Sequence, residues 1–287
     1  MDERNDLILN IQKQFPKLSK GQKRIAQFII ENYEKAAFMT ASKLGMETSV
    51  SESTVVRFAN NLGFEGYPQL QRALQDIIKT KLTTVQRVDM GKEYSTDLEI
   101  VERIMKSDMD NMRHTIEMIN AAKIETVIDM ILNAERIYVL GLRSSKSLAD
   151  FLGFYLGLIL GNVVLVGHGI SDIYEQMLRI SDKDLLIGLS FPRYSSRSIE
   201  VTRYAKEQGA KIVAITDSEI SPIANMADEY LTAKSNMASF VDSLVAPLSL
   251  LNALIVAIGM REKSDIKEHF NKLETIWEKY KIYDGDY

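Results

Sequence analysis

The spacing of apolar residues changes once along this chain, near residue 120, and that change requires two architectures joined end to end. Up to about Ile78 they recur at three and four, as in Ile25, Phe28, Ile29 and again in Leu70, Leu74, Ile77, Ile78. That is the period of helices with one buried stripe. Polar or Gly-bearing breaks at Phe15 to Gly21, Glu47 to Ser51 and Gly63 to Pro68 divide the region into four or five short helices. Lys79 to Thr96 loses the period and reads as a connector. Leu98, Val101, Met105, Met109, Met112, Ile116 and Ile119 then form one stripe on a long helix. So long a stripe needs a partner, either the second domain, the commoner outcome, or a second subunit.

Beyond it come five short β-branched runs: Arg136 to Gly141, Asn162 to Gly167, Asp184 to Ser190, Lys211 to Asp217 and Glu229 to Ala233. Helical stretches separate them, so the strands are expected to be parallel with crossover helices, a flavodoxin-like doubly wound sheet with helices on both faces. The predicted organisation is an all-α helix-turn-helix domain at 1–80, a linker and long helix at 81–122, an α/β domain at 123–262 and a C-terminal helix at 263–287. In that last helix Ile266, Phe270, Leu273, Trp277 and Tyr280 share one side and are expected to pack.

Composition narrows the chemistry. There is no cysteine, which removes disulfides, thiolate zinc sites and a cysteine nucleophile. Met1 to Asn10 carries Asp2, Glu3, Arg4 and Asp6, unlike a secretory leader, and a cytoplasmic location is expected. Ser243 to Met260 has no charge in eighteen residues, but Pro247, Ser249 and Asn252 favour a buried helix over a membrane span. The net charge of −4 is unevenly placed: residues 1–85 carry +3 and the remainder −7. A polyanion would meet the N-terminal part.

The segment Met39 to Gly63 has the arrangement of a helix-turn-helix. Thr40 can cap a first helix carrying Ala41 and Leu44 inward, and a tight break follows at Thr48 to Val50. Ser51 can cap a second helix by accepting from the N–H of Ser53 or Thr54. Val55, Phe58, Ala59 and Leu62 make its buried stripe, leaving Glu52, Ser53, Val56, Arg57 and Asn60 outward. Small hydroxyls with an arginine suit a major groove. By spacing alone, a small helical bundle with a polar face fits equally well. The run Val50, Ser51, Thr54, Val55, Arg57, Phe58, then Leu62, Gly63, Phe64, Gly66, Tyr67 and Leu70 closely resembles the N-terminal domain of the RpiR family of bacterial regulators. Ser49 departs from the glycine usual in that turn. The resemblance implies a DNA reader, with Lys43, Ser51, Ser53, Thr54, Arg57, Asn60 and Tyr67 as expected contacts.

The same family carries a sugar isomerase (SIS) domain behind its reader, and residues 123 to 260 resemble one in strand number and spacing. In sugar-phosphate-binding members the loops after the first and third strands wrap a phosphate. Here those loops read Gly141-Leu142-Arg143-Ser144-Ser145 and Ser190-Phe191-Pro192-Arg193-Tyr194-Ser195-Ser196, with Arg143 and Arg193 at usual glycines. The expected ligand groups are Arg143, Ser144, Ser145, Ser190, Arg193, Tyr194 and Ser195, with Ser196 a candidate cap. The arginines suit a small anionic effector, a phosphosugar or a sugar acid; a contact to a neighbouring subunit and plain surface placement are the alternatives. His114, His168 and His269 are too dispersed for a metal site, and no cofactor is expected. His168 is read as a loop residue ahead of a Ser171 cap. An SIS-type sugar-phosphate isomerase, with Glu175 or His168 as its base, or a ligand-binding protein without a DNA role, is the alternative to a regulator. The expected partners are operator DNA and further copies of the chain, as a homodimer or homotetramer.

Overall fold

In the computed structural model, residues 3–81, 87, 96–167, 169, 171–237 and 240–283 are described. The chain divides into two compact units, Met1–Gln86 and Arg87–Tyr287.

The first unit is helical: α1 (Glu3–Gln14), α2 (Lys20–Ala36), α3 (Ala41–Glu47), α4 (Glu52–Asn61) and α5 (Tyr67–Lys81). Its starts follow local chemistry. Ser19 and Gln22 form a reciprocal capping box on α2, and Thr40 accepts from the Lys43 N–H at the head of α3. Ile11, Ile25, Ile29, Leu44, Val55, Phe58, Leu70 and Leu74 are fully buried and form its core.

The second unit opens with α6 (Asp97–Met118) and α7 (Ala121–Asn133). Then follow β1 (Ile137–Gly141), α8 (Lys146–Leu160), β2 (Val163–Val166), the single turn α9 (Ile173–Gln176), β3 (Leu185–Leu189) and α10 (Ser196–Glu207). After β4 (Lys211–Thr216) and β5 (Glu229–Thr232), α11 (Val245–Arg261) and α12 (Lys263–Tyr280) complete it. The strands are all parallel in the order β2-β1-β3-β4-β5.

Alternate residues of one strand serve opposite cores, which is why the runs are apolar throughout. Ile137 and Val139 join α7, α8 and α11 on one face, and Tyr138 and Leu140 join α10 on the other. The uncharged run beginning at Ser243 is α11, which seats Leu250, Leu251, Leu254 and Ile258 in that first core. Among the described residues no helix is long and apolar enough to cross a membrane.

The long helix behaves differently from the simplest expectation. Leu98, Val101, Met105, Met109, Ile116 and Ile119 are each more than half exposed, while the buried positions of α6 are Asn111 and Thr115. Asn111 exchanges two hydrogen bonds with the Asn236 backbone, and Thr115 Oγ1 accepts from the Lys234 N–H. The segment after β5 offers unpaired backbone groups there, and polar side chains satisfy them where leucine would not. In α12, Leu273 and Trp277 are half-buried, whereas Phe270 and Tyr280 are exposed and the Ile266 side chain lies outside the described residues.

Candidate DNA-reading helix and sensing loops

The turn between α3 and α4 is built by close approach and one strained residue. A Cβ on Gly45 would stand 2.8 Å from the Val50 carbonyl oxygen, so α3 must present a bare backbone there. Ser49 takes φ +52°, the left-handed region that glycine adopts freely and serine only at a cost. Arg24 on α2 braces it by donating to the Ser49 carbonyl at 2.8 Å. Gly45 and Arg24 carried no signal in local spacing; both are defined by what lies across the turn.

On α4, Val55, Phe58, Ala59 and Leu62 are buried, and Glu52, Ser53, Arg57 and Asn60 are exposed. Ser53, Arg57 and Asn60 fall at i, i+4 and i+7, one solvent face. The Ser51 hydroxyl lies 2.9 Å from both the Ser53 and Thr54 hydroxyls, and Arg57 donates to the Thr54 hydroxyl and the Ser53 carbonyl, each at 3.4 Å. Ser51 occupies the N-cap but makes no side-chain bond to a backbone N–H, correcting its expected role: its hydroxyl joins the side-chain cluster instead. Lys43 is exposed on α3.

Tyr67 is a second correction. It is buried, and its hydroxyl donates to the Met39 carbonyl at 2.7 Å, with the Ala36 carbonyl at 3.3 Å. The C-terminal carbonyls of α2 need donors, and Tyr67 supplies one from inside the bundle, where DNA does not reach. Burial pushes its phenol up to about 12.

In the second unit, the loops after β1 and β3 leave adjacent strands, with Gly141 in register with Leu189. This is where the winding reverses, at the carboxyl edge where such sheets bind ligands. Arg143 and Arg193 hold φ of +57° and +59°, so each arginine keeps the left-handed backbone of a glycine position. Both are exposed, as is Ser144, while Ser145 and Ser190 are buried. A Cβ on Gly141 would stand 2.4 Å from the Ser145 carbonyl oxygen, which shows how tightly the first loop folds onto the strand end.

Three side chains here do work the sequence did not assign. The Tyr194 hydroxyl donates to Asp217 Oδ1 at 2.7 Å, beside Thr216, drawing the end of β4 into the site. Ser195, not Ser196, is the N-cap of α10, accepting from the Ser198 N–H at 3.4 Å. Asp172, not Ser171, caps α9, in a reciprocal box with Glu175. His168 lies outside the described residues.

A cavity of about 400 Å³ opens at the same sheet edge, between β5 and the turn joining α6 to α7, with Lys123, Ser218, Glu219 and Tyr230 on its wall. Burial opposes the charge of Lys123, but the hydrogen bonds it donates to Tyr230 and Glu229 outweigh it and raise its pKa. A larger cavity of about 570 Å³ lies at the opposite edge around Asp184 and Lys211, away from where the strand ends converge on ligands.

A helix-turn-helix unit with an exposed polar reading face, followed by an SIS-type sheet, defines a transcriptional regulator of two parts. The model of the rpiR-family helix-turn-helix domain matches residues 5–81, and that of the SIS domain matches 130–257. The chain thus carries an rpiR-family helix-turn-helix domain followed by an SIS domain. The HTH-type transcriptional regulator HexR of Pseudomonas aeruginosa is 24% identical over 281 residues, covering 94% of each chain. The sugar isomerase domain of an RpiR transcription factor from Sphaerobacter thermophilus superposes with TM-score 0.59 at 25% identity, covering 62% of this chain and 99% of that one. The Vibrio vulnificus NanR protein, solved with ManNAc-6P, superposes with TM-score 0.59 at 19% identity over 97% of this chain and all of that one.

Proposed function

We infer that this regulator reads an operator with the exposed face of α4 and that a small anionic effector, a phosphosugar or a sugar acid, held by the loops after β1 and β3, sets its operator affinity. The paired left-handed arginines carry the effector half. Non-glycine residues in that conformation cost about 1–3 kcal/mol each and persist where a site uses them. Here two stand in the loops that leave the adjacent strands β1 and β3. The helices α8 and α10 begin just beyond these loops, and their N-terminal N–H groups favour an anion. Arg143 and Arg193 add guanidinium forks that suit phosphate or carboxylate. NanR, of the same fold, is solved with a phosphosugar, which supports that class.

On the reading side, Arg57 and Lys43 serve phosphates, and Ser51, Ser53, Thr54 and Asn60 face base edges. Two or more copies act together, so that two α4 helices meet successive major grooves of an inverted repeat. Regulation rather than isomerisation is favoured because the Glu175 carboxylate accepts from the Asp172 N–H at 3.0 Å in its capping box, a structural duty that competes with service as a base.

The test is a thermal-shift screen of the full chain over phosphosugars, sugar acids and amino sugars, followed by operator gel shifts with each stabilising compound. A compound that raises the midpoint and changes operator affinity is expected. Stabilisation without any effect on DNA, or turnover of a phosphosugar, would overturn the reading.

A further inference from the structure

Charge in the first unit gathers at one corner. Between Asp6 and Glu31 there is no acidic residue, and Lys13, Lys17, Lys20, Lys23 and Arg24 fall inside that window. These residues carry +5, and the rest of residues 1–85 carries −2. The helix-turn-helix itself is neutral, with Lys43 and Arg57 set against Glu47 and Glu52 across residues 39–63. The cations that attract a polyanion to this unit therefore lie outside those two helices. Lys13, Lys17, Lys20 and Arg24 are exposed, and Lys23 is half-buried with its ammonium 5.7 Å from the centre of the Phe15 ring. Among the described residues none of them pairs with a carboxylate. At ordinary salt a charge is felt over about 10 Å, so this corner is cationic although the whole chain stands at −4.

The corner adjoins the start of the reading helix. Leu18 is buried and pins the turn between α1 and α2 to the core. The first turn of α2 then lies against α4: a Cβ on Gly21 would stand 3.4 Å from Val50 Cγ1 and 3.5 Å from Thr54 Cγ2. Three residues on, Arg24 donates to the Ser49 carbonyl at 2.8 Å. Lys20 and Arg24 thus bracket the contact with Val50 and Thr54. The cationic surface is continuous with Ser51, Ser53 and Thr54, the hydroxyls assigned to base edges. Duplex DNA fits both at once, since it presents base edges in its groove and one negative charge per ~1.7 Å of axis beside it. An acidic protein would match the charge alone.

We propose that Lys17, Lys20 and Arg24 clamp the phosphate backbone of duplex DNA beside the groove that α4 enters. Each phosphate neutralised releases counterions and adds ~0.9 to the slope of log K against log salt. Arg24 has a double duty, because the guanidinium that braces the Ser49 turn keeps further N–H groups for a phosphate oxygen. The clamp supplies affinity for any sequence, and α4 supplies the choice among them. It rests on α4 being a DNA reader, as proposed above, and the experiment separates the two.

The full-length chain is titrated onto a duplex of random sequence and onto a duplex selected by the protein from a random pool, between about 50 and 200 mM salt. Lys17→Gln with Lys20→Gln removes two exposed ammonium groups and leaves Arg24 to the Ser49 turn. Affinity is expected to fall about tenfold or more, alike on both duplexes, and the salt slope to drop by ~2 per protomer. Lys17→Arg with Lys20→Arg is expected to keep both. If the glutamine pair does not fold, either single substitution decides, with a slope lower by ~1. Lys35→Gln makes the same change of charge on an exposed residue about 22 Å away along α2, and is expected to leave affinity within twofold of wild type. Wild-type affinity and slope in the glutamine variants, an equal loss from Lys35→Gln, or a loss confined to the selected duplex overturns the clamp. Arg57→Ala still weakens binding in each of those cases, and the reader stands. A wild-type chain that binds neither duplex overturns both.

Discussion

Replacing Arg143 by glycine separates strain from function, because the two respond with opposite signs. Arg143 holds φ +57°, a conformation costing an L-residue roughly 1–2 kcal/mol. Glycine adopts it freely but brings an entropic cost of roughly 0.5–1 kcal/mol. The balance is a gain of about 0.5–1 kcal/mol for the ligand-free protein. For a unit of this size that is a midpoint rise of about 1–4 °C. The effector loses one charge-assisted contact, worth about 1.5–3 kcal/mol, so its affinity falls about 10- to 150-fold.

Differential scanning fluorimetry of the full chain reads both effects. It is run without ligand, with inorganic phosphate, and with the compound selected by the effector screen. Higher ligand-free stability together with weaker effector binding is the expected pair. A lower ligand-free midpoint would show that the Arg143 side chain supports the loop. An effector affinity within twofold of wild type would refute its place in the site.

Arg57→Ala is expected to weaken binding to any duplex and to lower the salt dependence, whereas Ser53→Ala relaxes preference among operators with little change in salt slope; gel shifts over a salt series distinguish them. Tyr67→Phe should cost about 1 kcal/mol without altering operator preference, since Gln71 also donates to the Met39 carbonyl. The folded pKa of Tyr67 is about 12 against 10.0, so its contribution is complete below pH 10 and is lost as pH rises through 12. Urea midpoints should therefore fall more steeply over that window in wild type than in Tyr67→Phe. Gly141→Ala places a methyl 2.4 Å from the Ser145 carbonyl oxygen and 2.7 Å from Ala149 Cβ. A destabilisation of about 1–3 kcal/mol with loss of effector response is expected, while the reader's intrinsic DNA binding survives.

Much of this protein was legible in one dimension because the rules that apply are local. Thr40 as a cap, the α4 stripe of Val55, Phe58, Ala59 and Leu62, and the five apolar runs each follow from a period or a nearest-neighbour hydrogen bond. The loop positions of Arg143 and Arg193 were equally visible, since strand ends define them.

What the tertiary structure decided were directions and partners at long sequence separation. Tyr67 has an apolar ring and a polar tip, and nothing nearby in sequence says that the tip meets the end of α2 rather than DNA. Asp217 lies 23 residues from Tyr194, and only the adjacency of β3 and β4 brings them together. Asn111 is tied to a backbone 125 residues away, and that bond turns the apolar stripe of α6 outward. A hydrophobic period identifies a stripe, but the face a helix buries is set by the groups packed against it. Here unpaired backbone beyond β5 needed hydrogen bonds, so the polar face went inward and the apolar one was left for another surface.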